Sequence, residues 1–177
     1  MPAWRDLGLK VRSHGGRWPI AMACFIGLMF GAYMAVADAS LFRSVVPAGQ
    51  AELVASLSTI ERIGFFAWRA VVDEVIYRFI LMSAVVWLLA AIAGRPQPWC
   101  YWAAIVICAL VFYPAAHLGY LATLDRAPLI WLREVSLHGA ALWLWGYLYW
   151  RHGLVASIVG HISAHFSLQP LLSLFFS

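Results

Sequence analysis

The chain has 177 residues, of which 64% are hydrophobic and only 11% charged, with ten tryptophans and a formal charge of +4. A soluble domain carries about 25% charged residues, so this composition excludes an ordinary water-soluble globule and predicts a chain solvated mostly by lipid. The positive excess does not point to nucleic acid. Its clearest cluster, Arg5, Lys10, Arg12 and Arg17, stands just before the first apolar stretch, where the positive-inside rule reads residues 1–17 as a basic cytoplasmic tail.

A span needs about 20 predominantly apolar residues, and stretches near that length lie at 18–38, 72–93, 99–117, 128–150 and 154–176. Backbone groups in hydrocarbon must pair within their own segment, so these stretches are expected to be helices. The fold expected is therefore all-α: a polytopic membrane helix bundle of about five transmembrane helices forming one domain over 1–177. The first stretch ends in Ala35-Val36-Ala37, a small-x-small pattern like that of a signal peptide. Its apolar run is long for such a leader, and an uncleaved anchor is expected. Between the first two spans, Leu53, Leu57, Ile60 and Ile63 recur at helical spacing opposite Glu52, Ser56, Glu61 and Arg62. That pattern predicts an amphipathic helix lying at the interface.

Alternating from a cytoplasmic N-terminus puts Arg95 and Arg151 inside. Arg43, Arg62, Arg69 and Arg126 then fall outside, beside Asp38, Glu52, Glu61 and Asp125. Cys24, Cys100 and Cys108 fall in or beside apolar runs without CxxC spacing and read as buried thiols. Trp99, Trp102, Trp131, Trp143, Trp145 and Trp150 fit interfacial belts and lipid-facing packing. His14 and His152 read as solvated at the interfaces. Arg133, Glu134 and His138 read as a buried pair capped by an imidazole that holds helices together, with substrate binding as the alternative.

The second span opens on Asp73-Glu74-Val75-Ile76-Tyr77-Arg78. Each charge near a bilayer centre costs roughly 2.5–3.5 kcal/mol, so three in six residues must neutralise one another, line a wet cavity or do chemistry. Glu74 and Arg78 are four apart and share a helix face, as do Tyr113 and His117, and His161 and His165. Three helices can thus bring one carboxylate, one guanidinium and three imidazoles to one interior cavity. A carboxylate among apolar walls is a better proton acceptor than one in water, suited to activating a water molecule. Imidazoles opposite it can orient that water or donate to an oxyanion.

At these residues the chain resembles the CAAX protease and bacteriocin-processing (CPBP, or Abi) family of intramembrane glutamic endopeptidases, related to the type II CAAX prenyl endopeptidases. The family pattern is Glu-Glu-x-x-x-Arg, then aromatic-x-x-x-His, then His-x-x-x-Asn or Asp. Here it reads Asp73-Glu74…Arg78, Tyr113…His117 and His161…His165, approached through Trp145-Gly146-Tyr147-Leu148-Tyr149-Trp150-Arg151-His152-Gly153-Leu154. The resemblance covers about 70–177. It implies an endopeptidase of a membrane-associated, lipid-anchored or exported peptide. Glu74, His117, His161 and His165 would be catalytic, Asp73, Arg78 and Tyr113 supporting, and no cofactor needed. It also implies that His161 and residue 165 form the oxyanion side, opposite Glu74 and His117. Asp73 stands in place of the first Glu, and His165 in place of Asn or Asp.

Three alternatives remain. Glu74, His117, His161 and His165 also compose a plausible zinc set. Histidines on facing helices can ligate haem, and buried charges can form the ion path of a transporter or accessory subunit. The expected partners are a membrane-associated protein or peptide and the bilayer, and the expected location is a prokaryotic inner or plasma membrane with the N-terminus cytoplasmic.

Overall fold

The computed structural model of the chain describes residues 4–11, 16–125 and 127–176. His14, read as interfacial, Arg12 of the basic tail and Arg126 of the outer side lie outside the described residues, and of Arg5 only the backbone is described. Among the described residues all regular structure is helical. The chain is a bundle built on α1 (Trp18–Ser40), α2 (Ala48–Ser56), α3 (Thr59–Ile92), α4 (Pro98–Ala116), α5 (Leu118–Ala122), α6 (128–152) and α7 (Leu154–Phe176).

Local sequence sets these boundaries. Proline sits in the first turn of α1 and α4, and opens α6, where a missing N–H leaves no helical hydrogen bond unmade. Ser58 and Glu61 close a capping box at the start of α3, with Ser58 N–H donating to Glu61 Oε2 at 2.8 Å. Gly153, at φ 89°, turns α6 into α7 through a backbone shape that L side chains rarely adopt. Helices α1, α3 and α4 are long and apolar enough to cross a membrane, and the chain is a membrane protein. Helices α6 and α7 have comparable length but carry Arg133, Glu134 and His138, and His161, His165 and Gln169, respectively.

The segment at 52–63 departs from the expected interfacial helix. It breaks at Leu57-Ser58, and its second half is the first turn of α3, which runs unbroken to Ile92. Arg62, assigned to the polar face, is instead 1% exposed. Its guanidinium takes the Val54 carbonyl at 3.1 Å and the Leu57 carbonyl, groups that the end of α2 leaves unpaired.

The most extensive contact is α1 against α7. Gly27 and Gly31 make it possible: a methyl on Gly27 would collide with the Gly160 carbonyl oxygen, and one on Gly31 with that of Ala164. This is close approach through small residues four apart, the usual device where lipid supplies no hydrophobic drive between helices. Ser167 Oγ then donates to the Leu28 carbonyl across the seam at 2.7 Å.

The N-terminal segment is docked rather than free. Leu7 is fully buried with Met82, Val86 and Ile105, and its carbonyl accepts from Tyr101. The Lys10 and Val11 carbonyls accept from Leu154 N–H and Val155 N–H, each at 3.0 Å, which caps the start of α7.

Candidate functional site

Helices α3 and α7 face each other along matched stripes. On α3, Arg62, Phe66, Ala70, Glu74 and Arg78 recur every fourth residue. On α7, Ser157, His161, His165, Gln169 and Ser173 do the same. Side chains four apart share a helix face. Arg62 meets Gln169 and Ser173, Phe66 stacks on His165 at 4.9 Å, and Glu74 meets Ser157 and His161. Ala70, at mid-stripe, is 1% exposed.

Glu74 is 2% exposed, and both its oxygens are engaged. His161 Nδ1 lies 3.0 Å from Oε1, and the Ser157 hydroxyl donates to Oε2. Arg78 Nε lies 3.5 Å from Oε2, an ion pair between two side chains almost wholly withdrawn from the surface. The walls around this carboxylate are thus polar on three sides, not apolar as the sequence led one to expect. Arg78 Nε and Nη1 are buried without a hydrogen-bond partner.

A cavity of about 1030 Å³ borders these groups, and its lining includes Glu74, Arg78, His117, His161 and His165. The convergence expected from the sequence is therefore met at the level of a shared cavity. At the level of contacts it divides. His161 joins Glu74, and the rings of His161 and His165 stack at 5.4 Å. His117 does not touch Glu74; its Nδ1 faces the Tyr113 carbonyl at 2.9 Å and its Nε2 faces Arg69 Nη2 at 3.1 Å. Asp73 pairs with Arg69 Nε at 3.6 Å instead of bonding within the Glu74 group. Tyr113 stacks on His117 at 4.1 Å, and Tyr77, buried, flanks both rings.

The alternative zinc set is not assembled. Among the described residues no three His, Cys, Asp or Glu side chains form a group that could hold a metal ion. Both nitrogens of His117 face protein groups, so it is not free to join Glu74, His161 and His165.

Four residues of the site escaped the sequence reading. Ser157, Arg69 and Gln169 carry a signal that was available, since each stands four from a residue already singled out. Trp145 was assigned to the lipid-facing belts, but it is 2% exposed and stacks on His161 at 5.3 Å. Trp99, Trp102, Trp131 and Trp143 are exposed as that assignment expects.

At the other end of the cavity, Arg133 clamps Asp38 through Nε at 2.7 Å and Nη2 at 2.8 Å. Its Nη1 donates to Glu134 at 2.9 Å and its Nη2 to Gln50 at 2.7 Å. Tyr120 and His138 complete the Glu134 carboxylate at 2.9 and 2.7 Å. This network ties α1, α2, α5 and α6 together, as the structural reading of Arg133, Glu134 and His138 expects.

Three π-helical stretches among the described residues abut cavity-lining side chains: Glu74–Met82 begins at Glu74, Cys108–Phe112 precedes Tyr113, and Val135–Gly139 holds His138. Such wide turns recur at functional positions, where they re-aim side chains.

The chain matches no family model, no curated protein and no solved structure.

Proposed function

We propose that the chain is an intramembrane endopeptidase of the glutamic type, hydrolysing a peptide bond of a membrane-associated or exported peptide. The observation that carries this reading is a buried carboxylate joined to a cavity-lining imidazole, Glu74 to His161 at 3.0 Å, inside an apolar helical bundle.

A carboxylate accepts only, so His161 holds its proton on Nδ1 toward Glu74 and keeps a lone pair on Nε2. Glu74 is almost wholly withdrawn from the surface, whereas 19% of the His161 side chain is exposed. The water proton therefore passes to the Glu74–His161 couple through Nε2 as the water oxygen bonds to the carbonyl carbon. The same couple returns the proton to the departing amine when the C–N bond breaks. This puts His161 on the base side, whereas the family resemblance alone would group it with residue 165. His165, one turn along, stabilises the oxyanion, and Arg78 offsets the charge of Glu74.

The cavity lies among the C-terminal end of α1, α2 and the end of α7 near Leu172. Leu172 is 17 residues from Val155, so about 25 Å separates this end from the docked N-terminal segment at 1.5 Å per residue. With the N-terminus cytoplasmic in a prokaryotic inner membrane, the site opens outward. Such an opening favours trimming of an exported or membrane-anchored protein over a cytosolic prenylated tail.

The test is cleavage of a library of internally quenched hydrophobic peptides by the full chain in detergent micelles. Wild type is expected to cleave at least one member, and Glu74→Gln, which keeps the shape but not the basicity, at least about 100-fold more slowly. Near-normal cleavage by a folded Glu74→Gln variant removes Glu74 from the mechanism.

A further inference from the structure

Arg62 is 1% exposed, 12 residues before Glu74 on the same stripe, and its hydrogen-bond partners are all neutral. Nε donates to Gln169 Oε1 at 3.0 Å and Nη2 to the Gln169 carbonyl at 3.2 Å. Nη2 also reaches Ser173 and Thr59, while Nη1 holds the Val54 and Leu57 carbonyls. A guanidinium donates and never accepts. The Gln169 amide oxygen is therefore the atom that faces Arg62, and its NH₂ group is turned toward His165 Nδ1, 3.5 Å away.

An NH₂ group only donates, so Nδ1 of His165 must hold its lone pair and the ring proton must sit on Nε2. Phe66 stacks on the ring at 4.9 Å and His161 at 5.4 Å, so two neighbours fix its plane and Gln169 fixes its edge. Adjacent imidazoles on one helix thus carry opposite tautomers. His161, backed by a carboxylate, shows the cavity an acceptor; His165, backed by an amide, shows it a donor.

We infer that Arg62 and Gln169 are positioning residues that lock His165 as an Nε2–H donor to the oxyanion, an assignment of role that rests on the endopeptidase reading above. The lock also accounts for a cation buried with no carboxylate partner. Arg62 orders the α2–α3 turn and, through the Gln169 amide, dictates which nitrogen of His165 can donate.

Gln169→Glu separates this from simple scaffolding. The carboxylate keeps the Arg62 contact and adds an ion pair, so a purely structural Gln169 predicts unchanged stability and unchanged rate. A carboxylate cannot donate, however, and His165 must move its proton to Nδ1. In ¹⁵N-labelled full chain in micelles, the His165 signals are assigned by their loss in His165→Asn. Wild type is expected to show a protonated Nε2 and Q169E a protonated Nδ1. The kcat for the best-cleaved quenched peptide should fall about 10²–10³-fold, the loss of one oxyanion donor, with KM and the thermal midpoint retained. In a His165→Ala background Q169E should add nothing.

A wild-type His165 protonated at Nδ1 overturns the inference, as does wild-type kcat in Q169E. Should Q169E fail to fold, Gln169→Met removes the donor without imposing the other tautomer and should give a mixed His165 spectrum; an unmixed Nε2–H spectrum overturns the lock. A wild-type chain that cleaves no peptide refutes the endopeptidase reading, and the nitrogen spectrum still decides the tautomer.

Discussion

Arg133 and Arg78 are both buried arginines beside carboxylates on the wall of one cavity, yet their surroundings differ in kind. Arg133 grips Asp38 with two parallel donors and finds Glu134 and Gln50 with the rest. Arg78 has a single carboxylate at 3.5 Å and leaves Nε and Nη1 without a hydrogen bond. A fully satisfied polar network rigidifies a fold, whereas a buried donor left without a partner costs its desolvation. The comparison teaches that two buried cations on one cavity can differ in pairing: Arg133 spends its donors on protein partners, whereas two nitrogens of Arg78 lack one.

The largest effect expected from breaking the comparison is on stability. Arg133→Leu strands Asp38 and Glu134 together, and removing one partner of a buried ion pair costs about 3–5 kcal/mol. Chemical unfolding in micelles should show that loss, and a change under about 1 kcal/mol, within the scatter of an exposed pair, would dissolve the distinction between the clusters. Next comes His161→Ala, which removes the nitrogen that faces the cavity; peptide cleavage should fall about 100-fold or more, as for loss of a general base. A variant cleaving within a few-fold of wild type would take His161 out of the couple.

Position 165 sharpens the comparison further. His165→Asn keeps a hydrogen-bond donor and should retain substantial activity, while His165→Ala loses most of it. Equal loss in the two would mean that an imidazole itself is required there. Glu74→Gln leaves the buried Arg78 without its carboxylate and should lower the thermal midpoint, though by less than Arg133→Leu, which strands two carboxylates. A drop as large as that of Arg133→Leu would make both clusters scaffold. The smallest effect expected is that of thorough chelation, which should leave cleavage intact. A stoichiometric metal whose removal abolishes and whose return restores cleavage would assign the chemistry to a metal-bound water instead.

Much of the helical plan was legible from apolar length. The first stretch, read as 18–38, is Trp18–Ser40, and the last, read as 154–176, is Leu154–Phe176. The second, read from residue 72, begins at Thr59. Its first turns pattern as amphipathic because Arg62 is polar, and a one-dimensional pattern cannot show that the guanidinium turns inward to meet unpaired carbonyls. Within the site, Glu74, His161 and His165 were reachable through their spacing. The partner of His117 was not, because spacing places residues on a face without saying which helix stands opposite. Gly27 and Gly31 carried a readable small-xxx-small signal for the α1–α7 seam. Trp145 was misassigned because a tryptophan that faces lipid and one that stacks on His161 look alike in sequence.

The closest partners in the bundle, α1 and α7, are also the first and last of its long helices, and their hydrogen bonds join residues 139 apart in sequence. During synthesis α1 emerges well before α7, so Gly27 and Gly31 wait for the helix they pack against. Helix α7 meets the opposite difficulty. Its stripe from Ser157 to Ser173 is poorly suited to lipid and, among the described residues, meets partners on α3 and α6, which precede it in the chain. Docking of α7 is thus the step that closes the seam, shelters the polar stripe and brings His161 to Glu74. Completion of the bundle and creation of the cavity wall are therefore one event, and a chain caught before it would lack the Glu74–His161 contact.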